Sequence, residues 1–192
     1  MGAIQSPFAG SGLTDNGGGL SVLGAGFAMA SGDVYDFNSN ISLASGVACY
    51  YLCTCIKTAT VTKMGILLKT AGSGGNQGGI STQFGIYSAA GVQLGVIDAT
   101  AASQTAVTGL STVEASGLSV PVQAGLNYYL GYINGLSLGV PVTAARAVTA
   151  NMGTVNGLSP FGTVGTQTAL ASSFTPSSLA NSQTNQLFLY AR

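Results

Sequence analysis

The chain has 192 residues, of which five are basic and five acidic, and it contains neither histidine nor tryptophan. Soluble domains are ordinarily about a quarter charged, so this polypeptide lacks most of the groups that keep the surface of a free monomer hydrated. We therefore expect much of its surface to contact other subunits. Histidine is the usual general base and a common metal ligand, so its absence disfavours an enzyme, and we predict no catalytic residues, no cofactor and no metal.

The charge balance and the apolar runs limit the classes of partner further. A formal net charge of zero and a pI near 5.9 remove the electrostatic basis for binding a phosphate backbone, so we expect no nucleic-acid partner. The uninterrupted apolar runs are far shorter than the roughly 20 residues of a membrane-spanning helix, so no span is predicted. The first residues lack the basic and apolar stretches of a secretory signal, which favours a protein kept in the cytoplasm until assembly.

Residues 1–40 predict an extended arm. They are rich in Gly, Ser, Ala and Asn, and their isolated apolar residues show neither helical nor strand periodicity. Because these residues cannot by themselves offset the entropy lost on ordering, the arm is either mobile or held on a neighbouring surface, and its apolar character favours the second. The residues assigned to this assembly arm are Ile4, Phe8, Leu13, Leu20 and Phe27. Near its end, Asp33 and Asp36 favour a solvated turn, with a Ca²⁺ site as the open alternative.

From residue 41 to residue 192 the composition predicts one all-β domain. Short β-rich runs alternate with turns rich in Gly, Ser, Asn and Thr, which is typical of a single antiparallel β-sandwich. About eight strands are predicted, near residues 47–57, 61–69, 83–88, 92–98, 111–120, 127–134, 140–150 and 185–190. Residues 151–184 have few apolar residues and predict a long loop, a kind of segment that often contacts a neighbour.

The three cysteines, Cys49, Cys53 and Cys55, all lie in the first predicted strand. Side chains alternate between the two faces of a strand, so these thiols are expected on one face together with Tyr51. An odd, clustered set disfavours a disulfide framework. We predict that the thiols are buried and pack as small apolar groups.

Three motifs then occur in a characteristic order. They are TVTKMGI at residues 60–66, FGIYSAAGVQLG at residues 84–95 and VQAGLNYYLG at residues 122–131. Together they resemble a β-sandwich module of virion proteins from tailed bacteriophages, especially minor tail, tail-fibre and head-surface proteins of phages that infect actinobacteria. The resemblance covers residues 47–134 and implies a jelly-roll-like fold, a structural role in the virion and no enzymatic activity.

From these observations we predict a non-enzymatic structural protein of a tailed-phage virion that assembles through apolar surfaces with itself and other virion proteins. A minor tail or fibre component is favoured, and a capsid decoration protein is the first alternative. The second alternative is a receptor- or glycan-binding module at a fibre tip, because exposed aromatic rings can stack on sugars. Tyr128 and Tyr132, which share one face of a predicted strand, are the candidate contacts, although core and inter-subunit packing of such tyrosines is favoured.

Overall fold

The fold is described from a computed structural model, which describes residues 4–5, 14–15, 26–31, 39–42, 44–72, 75–76, 78–105, 111–136, 143–146, 161–179 and 187–192. Thirteen strands occur in these ranges: β1 (Ile4–Gln5), β2 (Thr14–Asp15), β3 (Met29–Ala30), β4 (Ser39–Ser42), β5 (Ala48–Thr54), β6 (Ala59–Thr70), β7 (Gln83–Ser88), β8 (Gln93–Asp98), β9 (Ser111–Val122), β10 (Asn127–Ile133), β11 (Thr143–Arg146), β12 (Phe161–Val164) and β13 (Leu189–Ala191). Two short helices accompany them, the α-helix α1 (Thr100–Ser103) and a 3-10 helix (Pro176–Ser178).

The strands form two larger antiparallel sheets and a two-stranded ribbon of β1 and β2. The first sheet has five strands in the order β12-β5-β10-β7-β8. The second is built around the long strand β6, which pairs with β9 along one edge and with β13 and β11 along the other; β3 and β4 extend those two partners. The predicted all-β sandwich is therefore confirmed. Each of the eight predicted strands overlaps a strand of the structure.

The main core lies between the two sheets and follows from the alternation of side chains along each strand. In β5, Cys49, Tyr51 and Cys53 point into this core, whereas Ala48 and Tyr50 point to the outer side of the sheet. Both faces of β5 are buried. A strand buried on both faces is apolar along its whole length, which explains why ACYYLCT shows no polar alternation.

The predicted loop at residues 151–184 contains regular structure that the sequence pattern did not indicate. β12 pairs antiparallel with β5 at the edge of the five-stranded sheet. Beyond β12, the chain places Leu170, Phe174 and Leu179 against the outer side of the same sheet, where they complete a second apolar cluster. The loop prediction is therefore corrected. The sequence pattern did not indicate β12 because a strand of four residues that pairs with a distant strand is too short to show a clear periodicity.

The predicted boundary at residue 40 between arm and domain also changes. Ala28 and Met29 are fully buried in the main core, and β3 pairs with β13. Residues 28–31 are therefore part of the sandwich. Their hydrogen-bonding partner is β13, which lies near the end of the chain, so the local sequence did not indicate this strand. Of the assembly-arm residues, Ile4 is described only as a backbone position of β1. The positions outside the described residues are Phe8, Leu13, Leu20, Asp33 and Asp36.

Candidate interaction surface

The two tyrosines that are the candidate glycan contacts are internal. Tyr132 is fully buried, its hydroxyl lies 3.2 Å from the buried Ser103 Oγ, and its ring centroid lies 5.3 Å from that of Phe84. Tyr128 is also buried, and its hydroxyl accepts a hydrogen bond of 3.1 Å from the Gln123 amide. Neither ring presents a face on which a sugar could stack, so the alternative of a glycan contact is not supported at these residues, whereas the favoured packing in the core is observed. β10 is central in its sheet, which is why its side chains are covered.

The cysteines are free and buried, as predicted. Cys49, Cys53 and Cys55 all belong to the main core together with Tyr51, which confirms that they share one face. Burial raises the pKa of the Cys49 thiol to about 11 and also raises that of Cys53. Both thiols are therefore protonated at neutral pH and pack as apolar groups. They are not reactive, because only the thiolate acts as a nucleophile or metal ligand.

The outer side of the five-stranded sheet is covered by aromatic packing from within the chain. The Phe174 ring lies over three tyrosines, with centroid distances of 4.2 Å to Tyr50, 5.2 Å to Tyr87 and 5.1 Å to Tyr129. The Tyr87 hydroxyl donates to the Ala171 carbonyl at 2.9 Å. These contacts attach residues 171–174 to the sheet and leave this part of its face closed to a ligand.

A second aromatic group covers part of the outer face of the other sheet. Phe27, predicted as an assembly-arm residue, stacks on Tyr190 of the same chain at 4.2 Å. Tyr190 lies directly over Gly65, where a Cβ atom would collide with its ring. Gly65 leaves space for the Tyr190 ring, and Phe27 packs on top of that ring. The Phe27 side chain thus packs within its own chain, on β13.

Few charged groups accompany this aromatic group, and they pair with one another. The Arg192 guanidinium donates to Glu114 Oε2 at 2.6 Å, and the Lys63 ammonium lies 3.8 Å from the same oxygen. All three side chains are partly exposed, so the pairs contribute only about 0–1 kcal/mol each. They are surface ion pairs and do not form an electrostatic binding site.

Three of the five large exposed apolar residues in the described part of the chain lie on or beside β8. Val92, Leu94 and Val96 are 52%, 44% and 40% exposed. They are close in sequence and lie at or beside the last strand of the five-stranded sheet. The other large exposed apolar residues, Ile56 and Leu126, lie together in a different place, where the Cys55 amide donates to the Leu126 carbonyl.

β8 is also an edge strand, and within the described part of the chain some of its backbone groups are unpaired. On one side it pairs with β7. On the other side, residues 172–174 reach only its beginning, where the Gln93 amide donates to the Ser172 carbonyl at 2.9 Å. From Leu94 to Asp98 no described segment pairs with this outer edge. An edge of this kind is a template for adding a further strand.

The end of β8 is held in place by a polar network. The Thr100 amide and hydroxyl both donate to the Asp98 carboxylate, at 2.9 and 3.2 Å. Asn76 donates to the Thr100 hydroxyl at 3.1 Å and accepts from Thr82 at 2.7 Å, and the Gly135 amide donates to Thr82 Oγ1. These bonds satisfy the groups that form them and fix the strand. Asp98 is therefore a structural carboxylate that terminates β8.

The neighbouring edge strand β9, unlike β8, has features that prevent a further strand from pairing with its free edge. It lies opposite β8 in the other sheet, where a Cβ on Gly95 would contact Val120 and one on Gly117 would contact Ile97. β9 carries Pro121 and a bulge in which residues 117–119 stand opposite a single residue of β6; Gly117 has a φ of +121° there. Proline and bulges both prevent further strands from adding to an edge. β8 has no proline; its own register shift leaves Leu94 as an extra residue opposite β7, and from Gly95 to Asp98 the pairing with β7 is regular.

Comparisons with known proteins give no independent assignment. No family model matches the chain, and no curated protein matches it. Among the described residues, no helix is long and apolar enough to cross a membrane. The exposed edge of β8 is therefore the feature of the described structure that best indicates a function.

Proposed function

We propose that this chain is a non-enzymatic structural protein of a tailed-phage virion, and that it assembles through apolar surfaces with copies of itself and with other virion proteins. A minor tail or fibre position is preferred on the motif resemblance at residues 60–66, 84–95 and 122–131. A capsid decoration protein would use the same assembly chemistry. In either position the protein is located in the virion.

The observation that carries the proposal is the uncovered apolar edge of β8. Val92, Leu94 and Val96 remain substantially exposed in a chain with ten charged residues and zero net charge. Burying apolar surface stabilises an assembly by about 25 cal/mol per Å². With so little net charge, electrostatic repulsion between copies is weak.

A receptor- or glycan-binding role receives no support from the tyrosines on which it depended. Tyr128 and Tyr132 are buried, and Phe174 covers part of the outer face of their sheet. We therefore do not propose a glycan site at these residues.

Sedimentation equilibrium of the full chain at low and at physiological ionic strength tests the proposal. We expect reversible self-association whose constant changes little with salt, because few ion pairs are available to be screened. A chain that stays monomeric at every concentration and binds no virion component would refute the proposed function. Association that disappears on raising the salt would show that charge, rather than apolar burial, holds the assembly.

A further inference from the structure

Resting on the proposed function, we propose that the assembly interface is formed by β8 pairing antiparallel with β8 of a second copy. The two-fold axis lies next to Val96. This pairing joins the two five-stranded sheets into one continuous sheet across the interface.

The direction of the backbone groups makes this pairing available. Next to β8, the Ala99 amide donates to the Thr82 carbonyl at 2.9 Å, so the backbone of Ala99 points towards the β7 side. Successive residues of an antiparallel strand alternate in this direction, and the register between β7 and β8 is regular from Gln83↔Asp98 to Ile86↔Gly95. The N–H and C=O groups of Val96 and Asp98 therefore point to the open edge.

The side chains make this edge complementary to itself. Residues 91–97 carry no charge, and Leu94 and Val96 are exposed. Antiparallel pairing about Val96 places the two Val96 residues opposite each other and the two Asp98 carboxylates at opposite ends of the pairing. The charges of the two copies are thus kept apart and the two Val96 side chains meet, while each Leu94 stands opposite Asp98 of the second copy.

A second copy is the occupant that these features favour. An isologous interface needs one patch that complements itself, and β8 supplies donors, acceptors and apolar side chains within one short segment. The opposing strand β9 excludes addition at its own edge through Pro121 and its bulge. Among the described residues, β8 is therefore the edge on this side that is open to a further strand, and we expect pairing there and not at β9.

Val96→Pro tests the backbone part of the proposal. The Val96 N–H points away from β7, so proline at this position removes a bond to the second copy and none within the sheet, as at other edge-strand prolines. Both copies carry the change, so we expect the dimer dissociation constant to rise by about 100-fold. Far-ultraviolet circular dichroism checks that the fold is retained.

Val96→Lys and Leu126→Lys form a matched pair that tests the side chains and does not depend on the proline variant folding. Both positions are exposed and apolar, but only Val96 lies on the pairing edge. We expect Val96→Lys to dissociate the dimer, because two lysines would face each other, and Leu126→Lys to leave association unchanged. Equal effects of the two variants would overturn the pairing.

Disulfide trapping locates the axis. Directly opposite residues in a hydrogen-bonded antiparallel pair have Cα atoms about 5.5 Å apart, which suits a disulfide. Val96→Cys should therefore form a covalent dimer on oxidation, whereas Leu126→Cys should not; the native thiols are buried. If the wild-type chain associates but neither Val96 variant weakens it and Val96→Cys is not trapped, the β8 pairing is wrong while the proposed function survives. A wild-type chain that never self-associates refutes the β8 pairing, and it refutes the proposed function as well if it binds no virion component.

Discussion

Replacing Phe174 with alanine tests whether residues 165–179 cover the five-stranded sheet as described. The ring contacts Tyr50, Tyr87 and Tyr129 and is partly exposed. Replacing a buried phenylalanine with alanine lowers the free energy of unfolding by about 3–5 kcal/mol. Because Phe174 is partly exposed, we expect a loss at the lower end, about 3 kcal/mol. In a protein of this size that loss lowers the melting temperature by about 6–12 °C.

The assay is chemical denaturation of Phe174→Ala beside Val92→Ala. Val92 is close in space, since it forms a bridge with Ser173, but it is half exposed, so its truncation should change the free energy of unfolding by about 0.5 kcal/mol or less. Burial raises the pKa of Tyr129 to about 12, and uncovering its ring in Phe174→Ala should move that pKa towards its ordinary value of 10.0. A loss below about 1 kcal/mol together with an unchanged tyrosine titration would refute the covering role of residues 165–179.

Three further predictions concern the core. Tyr132→Phe should lower the free energy of unfolding by about 1–2 kcal/mol, because it leaves the buried Ser103 hydroxyl without the bond it now shares with Tyr132; a neutral substitution in denaturant titration would contradict the buried pair. Burial raises the pKa of Cys49 from 9.0 to about 11 and of Tyr129 from 10.0 to about 12. Their contribution to stability is therefore complete below pH 9 and is lost as the pH rises through these folded-state values. The free energy of unfolding measured from about pH 8 to about pH 12 should show this decline, and a flat profile would exclude it. The three free thiols should resist a thiol reagent in the native protein and all react in denaturant; rapid native labelling would show that the core is open.

The sequence predicts those elements whose signal is local. β7 is predicted at its observed bounds, because apolar residues are followed directly by a Gly-containing turn. The shared face of the cysteines follows from strand alternation alone. β12 and β3 were missed because each is short and is stabilised by pairing with a distant strand, which no local pattern encodes.

The candidate surface was harder to predict than the fold for a related reason. Alternation shows that Tyr128 and Tyr132 share a face, but only the sheet order shows that this face looks onto the other sheet. For the same reason, QLGVID looks like any apolar strand in the sequence. Its role as an edge depends on which strands pair beside it, and this is set by the whole fold.

Hydrogen exchange at single amides, measured over a range of protein concentrations, tests β8 pairing most directly. The Ile97 amide belongs to the β7 ladder and should be protected at every concentration. The account predicts that the Val96 amide exchanges rapidly in dilute protein and slows as the chain associates. A Val96 amide that still exchanges rapidly when the chain is fully associated would contradict it.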